Sequence, residues 1–332
     1  MRILIVANYY PNRGGISSVV SNHFAMLTAE GYYVKIFNTK KNPIVRILIM
    51  FSLIIKVKRF DIIHIHGCSG LGFYPIIIGI ISSKIFSNKK AIVTYHGGAA
   101  NDFLRKYSVL IIWFLKKANR ITVMSNYLKE VFNKYNIETT ILNNLVNIEI
   151  GSWVNKDFSM PKLISIRTLS KIYNIEDVIV AFHIIRSGHK YATLKIAGNG
   201  EQYVQLKRKY GSFDGIDFLG FIPNNCIPEL IKSCNIFISV PSYDNQPISI
   251  LEAFAGGCLV ISSNVGGVPD MIEDGINGFL VDVNNPDQIA QKIEWIISNP
   301  DLAKKIVEKG KALVKNYLWP SIKPKLLEIY KN

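Results

Sequence analysis

Cysteine is scarce and scattered in this chain: Cys68, Cys226, Cys234 and Cys258 each lie in or beside an apolar segment, with no CxxC pair and no Cys/His cluster at zinc spacing. That excludes a disulfide framework and a structural metal, and predicts buried free thiols in a reducing compartment. Long apolar runs are missing as well. No charge-free run of about 18 residues is apolar throughout, so no spanning helix is expected. The opening segment, apolar only from Ile3 to Ala7, reads as a first buried strand and not as a signal peptide. Several chemical templates are absent too: the GxxxxGK[ST] phosphate loop, GxGxxG, HExxH, the GxSxG elbow, and any Asp-x-Asp pair to hold a divalent ion beside a diphosphate. P-loop nucleotide hydrolysis, nicotinamide chemistry and zinc or serine hydrolysis therefore have no support.

Acidic residues are scarce in one half only. Residues 1–155 carry 19 Lys/Arg against 6 Asp/Glu, whereas 156–332 carry 20 against 18. An imbalance confined to one half predicts that this half faces something anionic, either nucleic acid or acidic lipid. No helix-turn-helix, zinc or RNP-type motif accompanies the charge, so an anionic membrane surface is expected and nucleic acid is not. The segment Ile44–Phe60 is apolar with basic residues Arg46, Lys56, Lys58 and Arg59. Too short to span a bilayer, it either lies in the lipid interface or packs on its own domain's sheet. Arg105, Lys106, Lys116, Lys117, Lys89 and Lys90 add charge in the same half.

What is present is a core large enough for two domains: 332 residues, 49% hydrophobic. Short apolar runs alternate with helical patterns. Residues 3–7, 34–37, 62–65, 91–94, 121–123 and 140–142 read as strands, and after the polar break Asn155-Lys156-Asp157 the pattern restarts with 163–166, 194–197, 216–219, 236–239, 259–261 and 279–281. Strands apolar throughout fit parallel sheets covered on both faces. The expected class is α/β: two facing Rossmann-like domains, 1–155 and 156–318, with a cleft between them, and a C-terminal helix over 319–332 packing back toward the first.

The segment with most chemical content runs from Ser242 to Gly278. Pro247 suits a first helical turn, which leaves the amides of Ile248, Ser249 and Ile250 free for an anion. Glu252 is a lone acid in an apolar helical segment. The pattern Asp244-x7-Glu252-Ala253-Phe254-Ala255-Gly256-Gly257, then Gly266-Gly267-Val268-Pro269-Asp270 and Asp274-Gly275-x-Asn277-Gly278, resembles the family-4 retaining glycosyltransferases of GT-B fold. Gly14-Gly15, His64-Ile65-His66-Gly67, Tyr95-His96-Gly97-Gly98, Ser125, Arg167, Gly198, Gly200 and Gly220 occur in that family's order. The likeness is strong over 160–285 and continuous but weaker over 1–145.

The resemblance implies a hexosyltransferase-type enzyme that uses a nucleotide diphosphate sugar, UDP- or GDP-linked, as co-substrate, with no metal and no other cofactor. The second domain would hold the donor, and the first a glycan or lipid-linked glycan acceptor in polysaccharide biosynthesis. The expected location is cytoplasmic, peripheral on the inner face of the membrane. Glu252 would accept hydrogen bonds from the ribose hydroxyls. Asp244 stands where the family has a glutamate contacting the donor sugar, one methylene shorter. Arg167 would pair with the diphosphate. Lys171 is the candidate second charge, because Tyr173-Asn174 stand where the family has a lysine. His96 would bond the sugar or its phosphate, and together with Asp244 and Arg167 makes up the catalytic set. Gly14, Gly15, Gly198, Asn245, Gln246, Pro247, Ile248 and Ser249 complete the donor-binding set. His64 and His66 are taken as pointing to opposite sides of their strand, hence as packing residues and not a chelating pair; His23, His183 and His189 carry no signal. Two other readings stay open: a GT-B-type sugar-nucleotide epimerase or phosphorylase, and a catalytically silent sugar-nucleotide-binding protein.

Overall fold

The computed structural model describes residues 1–11, 15–39, 43–85, 87–150 and 156–331. The chain divides into two compact units, Met1–Asn147 with Asn316–Asn332, and Ile148–Lys315. These tertiary divisions fall a few residues before the expected 155/156 and 318/319 boundaries.

The first unit runs β1 (Arg2–Ala7), α1 (Ile16–Ala29), β2 (Tyr33–Asn38), α2 (Pro43–Val57), β3 (Ile62–Gly67), α3 (Tyr74–Ile80), β4 (Lys90–Tyr95), α4 (Ala100–Lys116), β5 (Arg120–Val123), α5 (Asn126–Asn133) and β6 (Thr140–Ile141). Its sheet is parallel in the order β2-β1-β3-β4-β5-β6. The apolar strand runs are the cause: β1 and β3 are buried over nearly their whole length, as a sheet covered on both faces requires. One layer, α2 to α5, packs through Leu53, Ile76, Leu104, Phe114 and Leu128. Here α2 turns Ile49, Leu53 and Val57 to the core and leaves Phe51 and Ile55 exposed. Of the two readings of this segment, packing on its own sheet is the one observed.

The second unit runs β7 (Lys162–Ile166), α6 (Ile175–Gly188), β8 (Thr193–Ala197), α7 (Tyr203–Tyr210), β9 (Ile216–Gly220), α8 (Ile227–Lys232), β10 (Ile236–Ser239), α9 (Ile248–Ala255), β11 (Leu259–Ser263), β12 (Phe279–Val281), α10 (Pro286–Ser298) and α11 (Pro300–Val314). Its sheet, β12-β11-β10-β7-β8-β9, is also parallel. Strand order reverses between β7 and β10, which are neighbours although two strands separate them in sequence. In such sheets the crevice beyond the carboxyl ends at that reversal is where ligands bind.

The last helix, α12 (Trp319–Lys331), belongs to the first unit. Ile322, Leu326, Ile329 and Tyr330 pack with Ile3, Ile5, Val20 and Leu27 on the face opposite α2–α5. Lys323 and the Trp319 indole N–H both bond Glu30, and Lys90 Nζ bonds the Tyr330 carbonyl at 2.8 Å.

Candidate functional site

The second unit gathers its expected site residues at the strand-order reversal. Arg167 directly follows β7, and the 242–252 segment follows β10. Two loops are tied together there: the Ser242 amide bonds the Ile172 carbonyl at 2.7 Å, and Asn174 Nδ2 bonds the Val240 carbonyl at 2.9 Å. Asn174 adopts a positive φ of 48°, a backbone shape asparagine tolerates better than most residues.

Arg167 is the hub. Its guanidinium forms an ion pair with Asp244, bonds Ser249 Oγ at 3.3 Å, and lies over the Tyr173 ring with 4.3 Å between Cζ and centroid. Its Nε–H is buried with no partner. Tyr173, standing where the resemblance expects a lysine, thus contributes a cation–π face to the same guanidinium. Lys171 is exposed, and among the described residues it makes no contact with this group. Gly198 sits behind the arginine. With φ of 135°, a Cβ there would meet the Arg167 carbonyl at 1.9 Å, so only glycine lets the loop after β8 pass.

At the start of α9, Pro247 is the N-cap with φ −68° and ψ 122°. The Ile250 amide returns to the Pro247 carbonyl at 3.2 Å, so of the three amides expected to be free it is already bonded. The Ile248 and Ser249 amides make no backbone bond of that kind among the described residues. Asn245 and Gln246 are buried. Glu252, one turn into α9, has no hydrogen-bond partner among the described residues. Burial pushes its carboxyl up to about 7, while the Arg167 charge pulls the other way. The Glu252 side chain is half-buried and unbonded among the described residues.

In the first unit the carboxyl end of β1 leads to Gly15, with φ of 67° immediately before α1; Gly14 lies outside the described residues. His96, just past β4, donates its amide to the Gly67 carbonyl at 2.8 Å, which joins the loops after β3 and β4. Ser125 caps α5, its hydroxyl accepting from the Leu128 amide at 3.1 Å.

The histidines differ from their sequence reading. Residues two apart on a strand share a face, so His64 and His66 lie side by side, ring centroids 4.2 Å apart, and His23 of α1 sits 5.4 Å from each. His66 Nδ1 contacts His96 Nε2 at 2.9 Å. Burial holds all four neutral, with His23 lowered to about 4 and His96 to about 3. The grouping of His23, His64 and His66 invites a test as a metal site. His64 spends Nδ1 on the Tyr330 hydroxyl at 2.8 Å and Nε2 on Thr94 Oγ1 at 2.7 Å. Two residues with free nitrogens remain, fewer than the three protein ligands of a zinc site. The cluster is a packed support behind His96. The sequence reading missed it because three separate elements supply its members. The cysteines differ in two cases: Cys234 and Cys258 are buried, whereas Cys68 is half-buried and Cys226 is exposed.

Comparison with known proteins gives the family and the fold. Residues 154–313 match the model of Glycosyl transferases group 1, and residues 3–150 match that of Glycosyltransferase Family 4. An uncharacterized glycosyltransferase of Methanocaldococcus jannaschii is 26% identical over 96% of this chain and 95% of its own length. The UDP-Gal:alpha-D-GlcNAc-diphosphoundecaprenol alpha-1,3-galactosyltransferase of Escherichia coli is 25% identical over 72% of this chain and 67% of that protein. Among solved structures, HepE of Anabaena in complex with UDP-glucose shares the fold, with a TM-score of 0.78 at 16% identity and coverage of 100% of this chain and 99% of that one. The chain belongs to the glycosyltransferases of group 1 and family 4, built as two Rossmann-like domains of the GT-B kind.

Proposed function

We propose that the enzyme transfers a hexose, with retention and without a metal ion, from a UDP- or GDP-linked sugar to a lipid-linked glycan in polysaccharide biosynthesis. The observation that carries the donor half is the grouping of Arg167, Asp244, Ser249 and Glu252 at the reversal of the second sheet. Glu252 takes the ribose diol. The diphosphate displaces Asp244 from part of the Arg167 guanidinium and meets the Ile248 and Ser249 amides. Those donors stabilise the departing nucleoside diphosphate, the task a divalent ion performs elsewhere. Freed from Arg167, Asp244 turns to the transferred sugar. In the first unit, neutral His96 can hydrogen-bond a ligand without adding charge.

The acceptor reading rests on two supports: the E. coli relative named for a diphosphoundecaprenol-linked acceptor, and the basic excess of residues 1–155. It carries with it a peripheral position on the inner membrane face. Among the described residues no helix is long and apolar enough to cross a membrane.

A thermal-shift screen of UDP, GDP and their sugars, followed by transfer in excess EDTA, tests the proposal. One nucleotide series should raise Tm, transfer should survive the chelator, and NMR should show the donor's anomeric configuration kept in the product. Absence of any nucleotide-dependent shift would sink the donor assignment. An inverted anomer would sink retention alone.

A further inference from the structure

The layer α2–α5 covers one face of the first sheet, and its outer side is unevenly apolar. In the second half of α4 the inward residues Ile111, Phe114 and Leu115 are buried. Val109, Leu110 and Trp113 are 86%, 61% and 46% exposed. With Lys116 and Lys117 they fall at i, i+1, i+4, i+7 and i+8, so one outward face of the helix carries all five. Lys106 lies one turn earlier, exposed, across a kink at Tyr107. Exposed branched and aromatic side chains flanked by basic ones make up an interfacial helix: rings and aliphatic groups at the acyl boundary, lysines at the headgroups. Of the acids near the helix, Asp102 is paired with Arg105, and Glu138 and Glu328 lie beside Lys116 at its far end.

We propose that this face of α4 is the seat of the enzyme on an anionic lipid bilayer. It rests on the peripheral-membrane reading above and moves the contact from the apolar segment of α2, whose core-facing residues are already spent on the sheet. Charge decides the occupant. The stripe is basic within a half that carries 19 Lys/Arg against 6 Asp/Glu, so a second copy would bring like charge against like. The stripe occupies the second half of α4, which runs from the loop carrying His96 back toward Arg120 at the start of β5, so it lies on the part of the helix away from that histidine.

Flotation of the full-length protein tests this, with vesicles of phosphatidylcholine alone or with about a third phosphatidylglycerol. Wild type should float with the anionic vesicles only and be released by high salt. Leu110→Ser with Trp113→Ser, and separately Lys106→Glu with Lys116→Glu and Lys117→Glu, should each lower the bound fraction at least about tenfold. Both variants should keep the wild-type Tm and its shift with nucleoside diphosphate, which shows that they fold. If wild type floats and both variants float equally while Phe51→Ser with Ile55→Ser does not, the seat is on α2 and the α4 assignment fails, though the membrane reading stands. Wild type that binds neither vesicle overturns both. A dimer dispersed by the Leu110/Trp113 changes, without vesicle binding, gives the face to a second copy and overturns the proposal.

Discussion

At the scale of single residues the proposed donor site is a balance of opposed charges. Glu252 sits in α9 with its carboxyl raised from 4.5 to about 7. A raised acid means the folded state holds its proton more tightly than the unfolded chain, so stability falls as pH rises from the unfolded value through about 7. Glu252→Gln should therefore match wild type in Tm near pH 4.5 and become the more stable protein at pH 8, by up to about 3 kcal/mol. The same change should remove most donor affinity, measured by calorimetry, because an amide accepts less well from a diol. In wild type, kcat/KM for the donor should rise through about pH 7 as the carboxyl ionises. Asp244 opposes Arg167 more directly. Asp244→Asn should tighten nucleoside diphosphate binding several-fold by leaving the guanidinium less neutralised, while transfer falls at least about tenfold. Weaker nucleotide binding in that variant would mean that Asp244 positions Arg167 instead of competing for it.

At the scale of elements, loops and helix ends do the placing. The loop after β8 clears Arg167 only because residue 198 lacks a Cβ. Gly198→Ala, strained in both φ and contact, should cost about 2–3 kcal/mol and loosen the arginine. Its mark would be a lower Tm together with a weaker nucleotide-induced shift. The strands that carry these loops were legible in the sequence: all twelve apolar runs are strands, because a parallel sheet covered on both faces needs continuous apolar stretches. The loops were legible as motifs but not as contacts. Nothing in the spacing of Arg167, Tyr173 and Asp244 says that a guanidinium lies between a ring and a carboxylate. The histidines show the limit from the other side. The shared face of His64 and His66 follows from strand geometry, yet their contacts with His23, His96 and Tyr330 depend on α1, β4 and α12 coming together.

At the scale of the molecule the two units differ in how they are closed. The second is one continuous span, 148–315, whereas the first needs residues 316–332 to cover one face of its sheet. A fragment of 148–315 should fold and give a nucleotide-dependent Tm shift by itself. A fragment of 1–147 should aggregate, and appending 316–332 through a flexible linker should restore its solubility. Burying Ile322, Leu326, Ile329 and Tyr330 is worth roughly 1.5–3 kcal/mol each, comparable with the whole margin of a small domain. A soluble, cooperatively melting 1–147 would show that α12 is dispensable. The sequence by itself determined the two α/β domains and the family and singled out Arg167, Asp244 and Glu252 as candidates, because each is written in local periodicity or in the order of short motifs. Only the tertiary structure decided that Tyr173 faces Arg167, that His96 is backed by buried imidazoles, and that α4 bears the exposed apolar stripe. Those are contacts between residues distant in sequence, fixed by which face each element turns to the core.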